Sequence, residues 1–234
     1  EGAGKAFVAG ADVKFFVDKI EEGSFSEIED FTKNGHRVLD LIEGSPHTTI
    51  ALTTGLALGG GLELALSCDY RVGTEKTMLR FPETSIGIYP GLGGTQRTTR
   101  VCGIEAARFA VLAGNFMDAG AASALGLITH LVGASDVTGT VREISSEGKP
   151  ANKYPGEPSD PSHPVAAMSK AFYSDSNMGA ILSGEAPEGF DPEDRNVARQ
   201  LKSLSRAAPV SVRLASDLLD KALVTDLEAG LQLE

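Results

Sequence analysis

The sequence has 234 residues, of which 41% are hydrophobic and 23% are charged. This balance is typical of a folded domain, excludes disorder throughout, and leaves enough apolar material to bury a sizeable core. The 21 basic residues against 32 acidic ones argue against a nucleic-acid partner, because such a partner requires basic surface. No apolar run is long enough to predict a membrane span. Two cysteines are too few for a disulfide framework, which predicts a cytoplasmic protein.

Short apolar runs alternate with helical stretches over residues 1–135, and this alternation predicts an α/β architecture. Apolar or β-branched runs bounded by glycine or proline predict strands at residues 6–9, 49–53 and 127–132. Helical periodicity predicts helices at residues 25–41, 62–68, 104–112 and 119–125, the last of them capped by Asp118. The helix at 62–68 is apolar on nearly every side and is therefore expected to be buried.

Residues 149–164 interrupt this pattern, because five prolines fall within this short stretch. Such a composition predicts a linker or an extended surface loop. Beyond it, helices are predicted at residues 165–172, 194–204 and 210–223, with Pro209 at the start of the last one. We therefore predict three segments: a core at residues 1–148, a Pro-rich linker with a helical insert at residues 149–205, and the start of a C-terminal helical region at residues 206–234.

A run of glycines ends a predicted strand region and opens the apolar helix that contains Glu63. Glycine permits sharp turns and close approach of a ligand, and the free N–H groups at a helix start can bind an oxyanion or a phosphate. The helix dipole stabilises the carboxylate of Glu63, while the apolar neighbours disfavour its charge. By itself the pattern is also typical of a plain strand-to-helix turn with a glutamate in the first turn.

A second glycine-rich cluster contains Glu83 and extends to Thr95. Pro82 and Glu83 occupy positions typical of the first turn of a short helix, and Thr95 is predicted to cap a helix through Val101. One interpretation is a capped loop with a surface glutamate. In the functional interpretation, Glu83 faces Glu63 across a cleft, where two carboxylates can act as general acid and general base around one reacting centre.

A third cluster predicts a strand followed by a turn in which Asp12 caps the next helix. Together the three clusters resemble the enoyl-CoA hydratase, or crotonase, superfamily in their order and spacing. The resemblance lies in KAFVAGAD at residues 5–12, ALGGGLELA at 57–65, PE at 82–83 and PGLGGTQR at 90–97. No single segment is decisive, but four in this register are very specific. The resemblance covers residues 1–135 well and residues 206–234 moderately.

The resemblance implies a crotonase-like spiral of ββα units with a C-terminal helical region, and the activity of an enoyl-CoA hydratase in fatty-acid β-oxidation. The backbone N–H groups of Ala9 and Gly60 would form an oxyanion hole for the thioester carbonyl of an acyl-CoA. One such donor is typically worth about 3 kcal/mol of transition-state stabilisation. Glu83 would donate the proton at Cα, and Glu63 would activate or orient the water.

The resemblance also implies substrate contacts and partners. The substrate contacts would come from Ala11, Asp12 and Gly91, the last through its backbone N–H. No metal is expected, and coenzyme A would be present only as part of the acyl-CoA substrate. Family members commonly form homotrimers or hexamers, and fusion to a 3-hydroxyacyl-CoA dehydrogenase is a known arrangement.

Three departures from the family pattern matter. The chain begins at the oxyanion motif, without the strands that precede this motif in the family. It also stops within a helix that the family continues, so it is expected to be a fragment of a longer protein. Extra residues lie between His130 and Ala208, and residues 172–182 resemble the insert of the 3-hydroxyisobutyryl-CoA hydrolase branch.

Hydratase is the preferred interpretation, because carboxylates are present at both Glu63 and Glu83. The hydrolase branch usually lacks the first and has an aspartate at the position of Gly91, so this sequence departs from it at both sites. Isomerases rely on a carboxylate near the position of Glu83, and Glu63 discriminates against them only in part. The alternative from another class is a non-catalytic acyl-CoA-binding module. Three other polar residues are predicted to be solvated: His36, His47 and His163.

Overall fold

The computed structural model of the chain describes residues 1–234 and contains seven short β-strands. They are β1 (Ala6–Val8), β2 (Ile50–Thr53), β3 (Leu56–Leu58), β4 (Tyr70–Gly73), β5 (Met78–Arg80), β6 (Met117–Asp118) and β7 (His130–Leu131). One sheet has the order β1-β3-β5-β6, in which only the β5–β6 pair is antiparallel. The other sheet has the order β2-β4-β7 and is parallel throughout.

Twelve α-helices pack around these sheets, together with 3₁₀ helices at Glu83–Ile86 and Asp175–Asn177. The α-helices are α1 (Val13–Glu21), α2 (Phe25–Glu43), α3 (Gly60–Ser67), α4 (Gly94–Cys102), α5 (Ile104–Leu112), α6 (Ala119–Ala124), α7 (Val137–Glu147), α8 (Pro164–Phe172), α9 (Met178–Leu182), α10 (Arg195–Leu204), α11 (Pro209–Lys221) and α12 (Leu227–Leu231). None of them is both long enough and apolar enough to cross a lipid bilayer.

From β1 to β5 successive strands alternate between the two sheets, and a helix follows each of the pairs β2–β3 and β4–β5. β2 joins one sheet, β3 joins the other, and α3 follows. β4 and β5 repeat this alternation before the chain enters the 3₁₀ helix Glu83–Ile86 and α4. Each ββα unit therefore adds one strand to each sheet, and α7 to α12 follow the last strand. The predicted crotonase-like spiral with a C-terminal helical region is confirmed.

Local sequence signals set several helix ends as predicted. The carboxylate of Asp12 accepts a hydrogen bond from the N–H of Lys14 at 2.9 Å and caps α1. Asp118 caps α6 in the same way through the N–H of Ala121, also at 2.9 Å. Pro209 is the first residue of α11, where its missing N–H does no harm. The sequence at these positions is therefore consistent with the fold at the level of single hydrogen bonds.

Two local predictions are corrected by the structure. The strand predicted at residues 127–132 is limited to β7, because residues 127–128 are buried in the core and pairing with β4 begins only at His130. Thr95 does not cap α4, because the helix already begins at Gly94. The residue before the helix is Gly93, whose backbone is left-handed, with φ 94° and ψ 8°. A left-handed glycine, and not a capping hydroxyl, therefore precedes the first turn of α4.

One hydrophobic cluster of 33 buried residues joins the first part of the chain to the later helices. It includes Leu62 of α3, Phe172 of α8 and Leu219 of α11. Residues 149–163 form no helix or strand, and the N–H of Gly156 donates to the carbonyl of Arg100 at 2.8 Å. The later helices thus pack against the core that supports α3, while the boundaries at 148 and 205 stay predictions.

Candidate active site

The three glycine-rich clusters meet at the carboxyl ends of neighbouring parallel strands. Ala9 follows β1, the Gly59–Gly60 peptide follows β3, and Glu83 lies shortly after β5. β3 lies between β1 and β5 in one sheet. The carboxyl edge of a parallel sheet is a common place for a ligand. Glu63 lies in the first turn of α3 and joins this group.

Backbone N–H groups without partners lie where β1 meets the start of α3. The N–H of Ala9 donates no hydrogen bond within the chain. Gly60 is the first residue of α3, so its N–H has no carbonyl acceptor within the helix. A side chain at Gly61 would collide with the carbonyl of Val8, so only glycine lets these two segments approach so closely. The residues predicted to form an oxyanion hole are thereby brought together.

Glu63 is buried, and only one of its carboxylate oxygens has hydrogen-bond partners. Oε1 accepts from the N–H of Leu92 at 2.7 Å and from the N–H of Gly94 at 2.9 Å. Oε2 lies 3.9 Å from the point where a side chain at Gly60 would begin. Burial raises the pKa of Glu63, and the two N–H donors oppose this shift because they favour the ionised form. Glu63 is therefore held through one oxygen and presents the other.

Glu83 is also buried, but it lacks such support. It is the first residue of the 3₁₀ helix that follows β5. Its Oε2 is buried without a hydrogen-bond partner, and its carboxylate carbon lies 3.2 Å from the point where a side chain at Gly59 would begin. Burial raises the pKa of Glu83, and the nearby carboxylate of Glu63 raises it further. The environment thus favours the protonated form of Glu83.

The pair of carboxyl groups can divide acid and base roles. They flank the Gly59–Gly60 peptide, and their environments differ in the number of donors that they offer to an ionised oxygen. When two carboxyl groups share one site, the group with the fewer donors keeps the proton. Glu83 is accordingly the better acid and Glu63 the better base.

The residues predicted to contact the substrate lie around this group. Ala11 and Asp12 are exposed between β1 and α1. The carboxylate of Asp12 is engaged in capping α1, which leaves its backbone and Ala11 to meet a ligand. Gly91 lies in the turn before α4, and its N–H donates no hydrogen bond within the chain. Gly91 is also next to Leu92, whose N–H holds Glu63.

His36 is not solvated, contrary to the prediction. Its side chain is 15% exposed, and both ring nitrogens are buried without a hydrogen-bond partner. Nε2 lies 4.0 Å from Oε2 of Glu234. Burial is the main cause that lowers the pKa of His36. The prediction was wrong because this face of α2 packs against the protein. At the neighbouring Gly35, the side chain of Leu92 occupies the space that a side chain would need.

The groups that hold Glu63 were not found from the sequence. Leu92 and Gly94 act through their backbone N–H groups, which carry no residue-specific signal, although both lie in the glycine-rich cluster. Glu234 does not bond to Glu63 but was also missed, and its buried carboxylate accepts hydrogen bonds from the start of α4. It lies 141 residues from its partner Gly93, so no local pattern could link the two.

A cavity of about 1050 Å³ lies between α2 and α12. Leu231 and Glu234 contribute to its walls, whereas Glu63 and Glu83 do not. The side chain of Leu92 lies beside the Gly59–Gly60 peptide that the carboxylate pair flanks, with one δ-carbon 3.6 Å from the point where a side chain at Gly60 would begin. No three histidine, cysteine, aspartate or glutamate side chains lie close enough together to hold a metal ion.

Comparison with known proteins relates the whole chain to one family. The family described as enoyl-CoA hydratase/isomerase matches residues 1–234. The fatty acid oxidation complex subunit alpha of Psychrobacter cryohalolentis is 41% identical over 131 residues, which is 56% of this chain and 18% of that protein. The crotonyl-CoA hydratase of Syntrophomonas wolfei is 37% identical over 141 residues, which is 60% of this chain and 53% of that protein.

A solved structure has the same fold. The crystal structure of an enoyl-CoA hydratase from Rhodobacter sphaeroides superposes with a TM-score of 0.77 over 97% of this chain and 66% of that one. At 21% identity this likeness shows the fold alone. The chain spans 53% of the length of the crotonyl-CoA hydratase that it matches.

Proposed function

Because this chain belongs to the enoyl-CoA hydratase/isomerase family, we propose that it catalyses the reversible addition of water to the double bond of a short 2-enoyl-CoA thioester. The observation that carries the proposal is the pair of buried carboxyl groups with unequal hydrogen bonding. Glu63 accepts two backbone N–H bonds, while Oε2 of Glu83 accepts none. Hydration requires one base and one acid at the same double bond, and this pair offers both.

In the proposed reaction, water attacks Cβ and Glu63 accepts a proton from it. The electron pair of the double bond moves toward the thioester, where negative charge develops on the carbonyl oxygen. The N–H groups of Ala9 and Gly60 would stabilise that charge, since neither is used up by a partner within its own element. Glu83 then donates its proton to Cα, and solvent returns the proton from Glu63 to Glu83.

The relatives support hydration without deciding it. The name crotonyl-CoA hydratase belongs to a protein that matches 60% of this chain at 37% identity. The family description includes isomerases as well. Isomerisation moves one proton between two carbons and needs a single carboxyl group, so the second, separately held carboxylate at Glu63 favours hydration. Thioester hydrolysis and binding without catalysis are the further outcomes that the experiment distinguishes.

The experiment is incubation of crotonyl-CoA with the protein in ¹⁸O-labelled water, followed by mass spectrometry of the thioester. We expect an intact thioester that has gained one labelled water molecule. Free coenzyme A with labelled acid would show a hydrolase instead. In a parallel incubation that starts from 3-butenoyl-CoA, its conversion to crotonyl-CoA without uptake of water would show an isomerase. If none of the three changes occurs, the proposal is wrong for this chain.

The matched control is the variant Glu83→Gln, which keeps the shape of the side chain and removes its acid. A product that forms equally fast with this variant does not come from the proposed site. The proposal includes no metal, and coenzyme A enters only as part of the substrate. The match to part of a fatty acid oxidation complex subunit supports, as a further proposal, that this segment works within a larger protein.

A further inference from the structure

A third buried carboxylate occupies the start of α4. The side chain of Glu234 is fully buried. Its Oε1 accepts from the N–H of Thr95 at 3.1 Å, from the N–H of Gln96 at 3.3 Å and from the hydroxyl of Thr95. Its Oε2 accepts from the N–H of Gly93. Burial raises the pKa of Glu234, and the carboxylate of Glu63 raises it further. Donors at a helix start oppose this shift, and here four of them converge.

The same turn holds Glu63, and its N–H groups alternate between the two carboxylates. Leu92 and Gly94 donate to Glu63, whereas Gly93 and Thr95 donate to Glu234. The left-handed backbone of Gly93, with φ 94°, lets successive N–H groups point to different sides. The turn is therefore bound from two sides, and a shift of either carboxylate would move the donors of the other.

Further contacts fix Glu234 and the turn in place. The hydroxyl of Tyr89 donates to the backbone carbonyl of Glu234 at 2.7 Å. Nη1 of the buried Arg97 donates to the carbonyl of Leu92 at 3.1 Å. The remaining nitrogens of this guanidinium pair with carboxylates of α2, at 2.8 Å to Glu43. The turn that holds Glu63 is thus anchored to α2 on one side and to Glu234 on the other.

We propose that Glu234 is a positioning residue, which fixes the backbone of residues 92–95 so that Leu92 and Gly94 hold Glu63 in its working orientation. This role rests on the proposed function, in which Glu63 accepts a proton from water. Glu234 does not take part in the chemical step, because its carboxylate oxygens are engaged by the start of α4. It acts on the reaction only through the turn.

The first test is the kinetics of Glu234→Gln. Glutamine keeps one acceptor oxygen but turns an NH₂ group toward backbone donors, so the turn must rearrange. We expect kcat for hydration to fall about tenfold or more with KM changed less than about twofold, because misplacement of a catalytic group affects the chemical step. The control is Glu228→Gln, which makes the same side-chain replacement at an exposed position of α12 and should leave both constants unchanged.

A double-mutant cycle separates positioning from a general structural role. If Glu234 acts through Glu63, the change Glu234→Gln should cost little further activity in a Glu63→Gln background, since the group that it positions has been removed. Equal losses in both backgrounds would overturn the proposal, because Glu234 would then affect the reaction by another route.

Hydrogen exchange tests the same inference without any activity. We expect the backbone amides of residues 92–95 to exchange faster in Glu234→Gln than in the unchanged protein or in Glu228→Gln. Unchanged exchange in this turn would overturn the proposal, whereas faster exchange in a chain that hydrates nothing would leave the structural link intact and refute the proposed function alone. If Glu234→Gln does not fold, Thr95→Val removes one donor to Glu234 and is measured in its place.

Discussion

The two sides of the candidate site use the same side chain under different constraints. Glu63 lies on the buried helix α3, and N–H groups from the turn before α4 donate to one of its carboxylate oxygens, while the other oxygen accepts no hydrogen bond within the chain. Glu83 lies on a short 3₁₀ helix, and its Oε2 is buried without any partner. The difference shows that the chemistry of a glutamate is set by the donors around it, not by the residue type.

Glutamine substitution at either position, one at a time, gives the largest expected effect and tests whether the two carboxyl groups have different roles. Glu83→Gln should lower kcat by about 10³-fold and Glu63→Gln by about 10²-fold, because general acid–base groups typically contribute 10²–10⁴-fold. The smaller loss at position 63 is expected because an amide oxygen can still accept the bonds from Leu92 and Gly94 and orient the water. Initial rates of crotonyl-CoA hydration measure both.

The ranking of the two variants is the decisive result. If Glu63→Gln loses more activity than Glu83→Gln, the expectation that an amide at position 63 still orients the water is wrong. If both retain full activity, neither carboxyl group takes part in the reaction. A circular dichroism spectrum of each variant controls for loss of the fold.

Gly94→Ala tests the support of Glu63 alone and has an intermediate expected effect. The new methyl group would stand 2.8 Å from Oε1 of Glu63 and 2.5 Å from Cβ of Pro90. We expect kcat to fall about tenfold or more and the free energy of unfolding to fall by about 1–3 kcal/mol, since the site has no room to relax.

The matched control is Gly139→Ala, because apart from its chain neighbours and the backbone of α7 itself no atom lies within 4 Å of the position of the added methyl group. It should leave kcat unchanged and raise stability by about 0.5–1 kcal/mol. Denaturant unfolding and hydration rates of the two variants are compared side by side. Similar losses at both positions would show that the loss in Gly94→Ala does not come from the support of Glu63.

The pH dependence of stability should show the smallest effect, and it sharpens the comparison. The pKa of Glu83 in the folded state lies above its ordinary value of 4.5. At any pH between 4.5 and this raised pKa, the folded state therefore binds more protons than the unfolded state. Stability is therefore lost as the pH rises through this window, and the penalty is complete above the folded pKa. Glu83→Gln removes this penalty.

The variant should match the unchanged protein near pH 4 and exceed it by about 1–3 kcal/mol near pH 9. Glu63→Gln should show a smaller gain, because two N–H donors already offset part of the burial cost in the unchanged protein. Urea unfolding across this pH range measures the differences. A larger gain for Glu63→Gln than for Glu83→Gln would contradict the assignment of the proton to Glu83.

The sequence was informative where local rules decide the structure. Glycine, proline and capping residues located the strand that ends at Val8, the start of α3 and the caps at Asp12 and Asp118. These features depend on a few neighbouring residues, so a pattern can reveal them. That Glu63 and Glu83 share one site was predicted from the family resemblance, which rests on the order and spacing of the glycine-rich clusters.

The sequence was uninformative where a contact joins distant segments through the backbone. Nothing in the pattern indicated that the turn before α4 donates to Glu63, or that Glu234 fills the start of the same helix. Thr95 looked like a cap, but its hydroxyl serves Glu234 inside the helix. The prediction that His36 is solvated was wrong for the same reason. Its ring is buried by tertiary packing, which the local sequence does not indicate.

The alternation of strands between two sheets also has a consequence for how the chain folds. Apart from the β5–β6 pair, strands that are neighbours in a sheet are not consecutive in the chain. In the β4–β7 pair, for example, Val72 pairs with His130. Pairing of strands that are distant in the chain requires long loops to close, and the entropy cost of closure comes before any stabilising contact forms. This order slows folding. We therefore expect refolding to be slow for a chain of this size, with unpaired strand edges transiently open to aggregation.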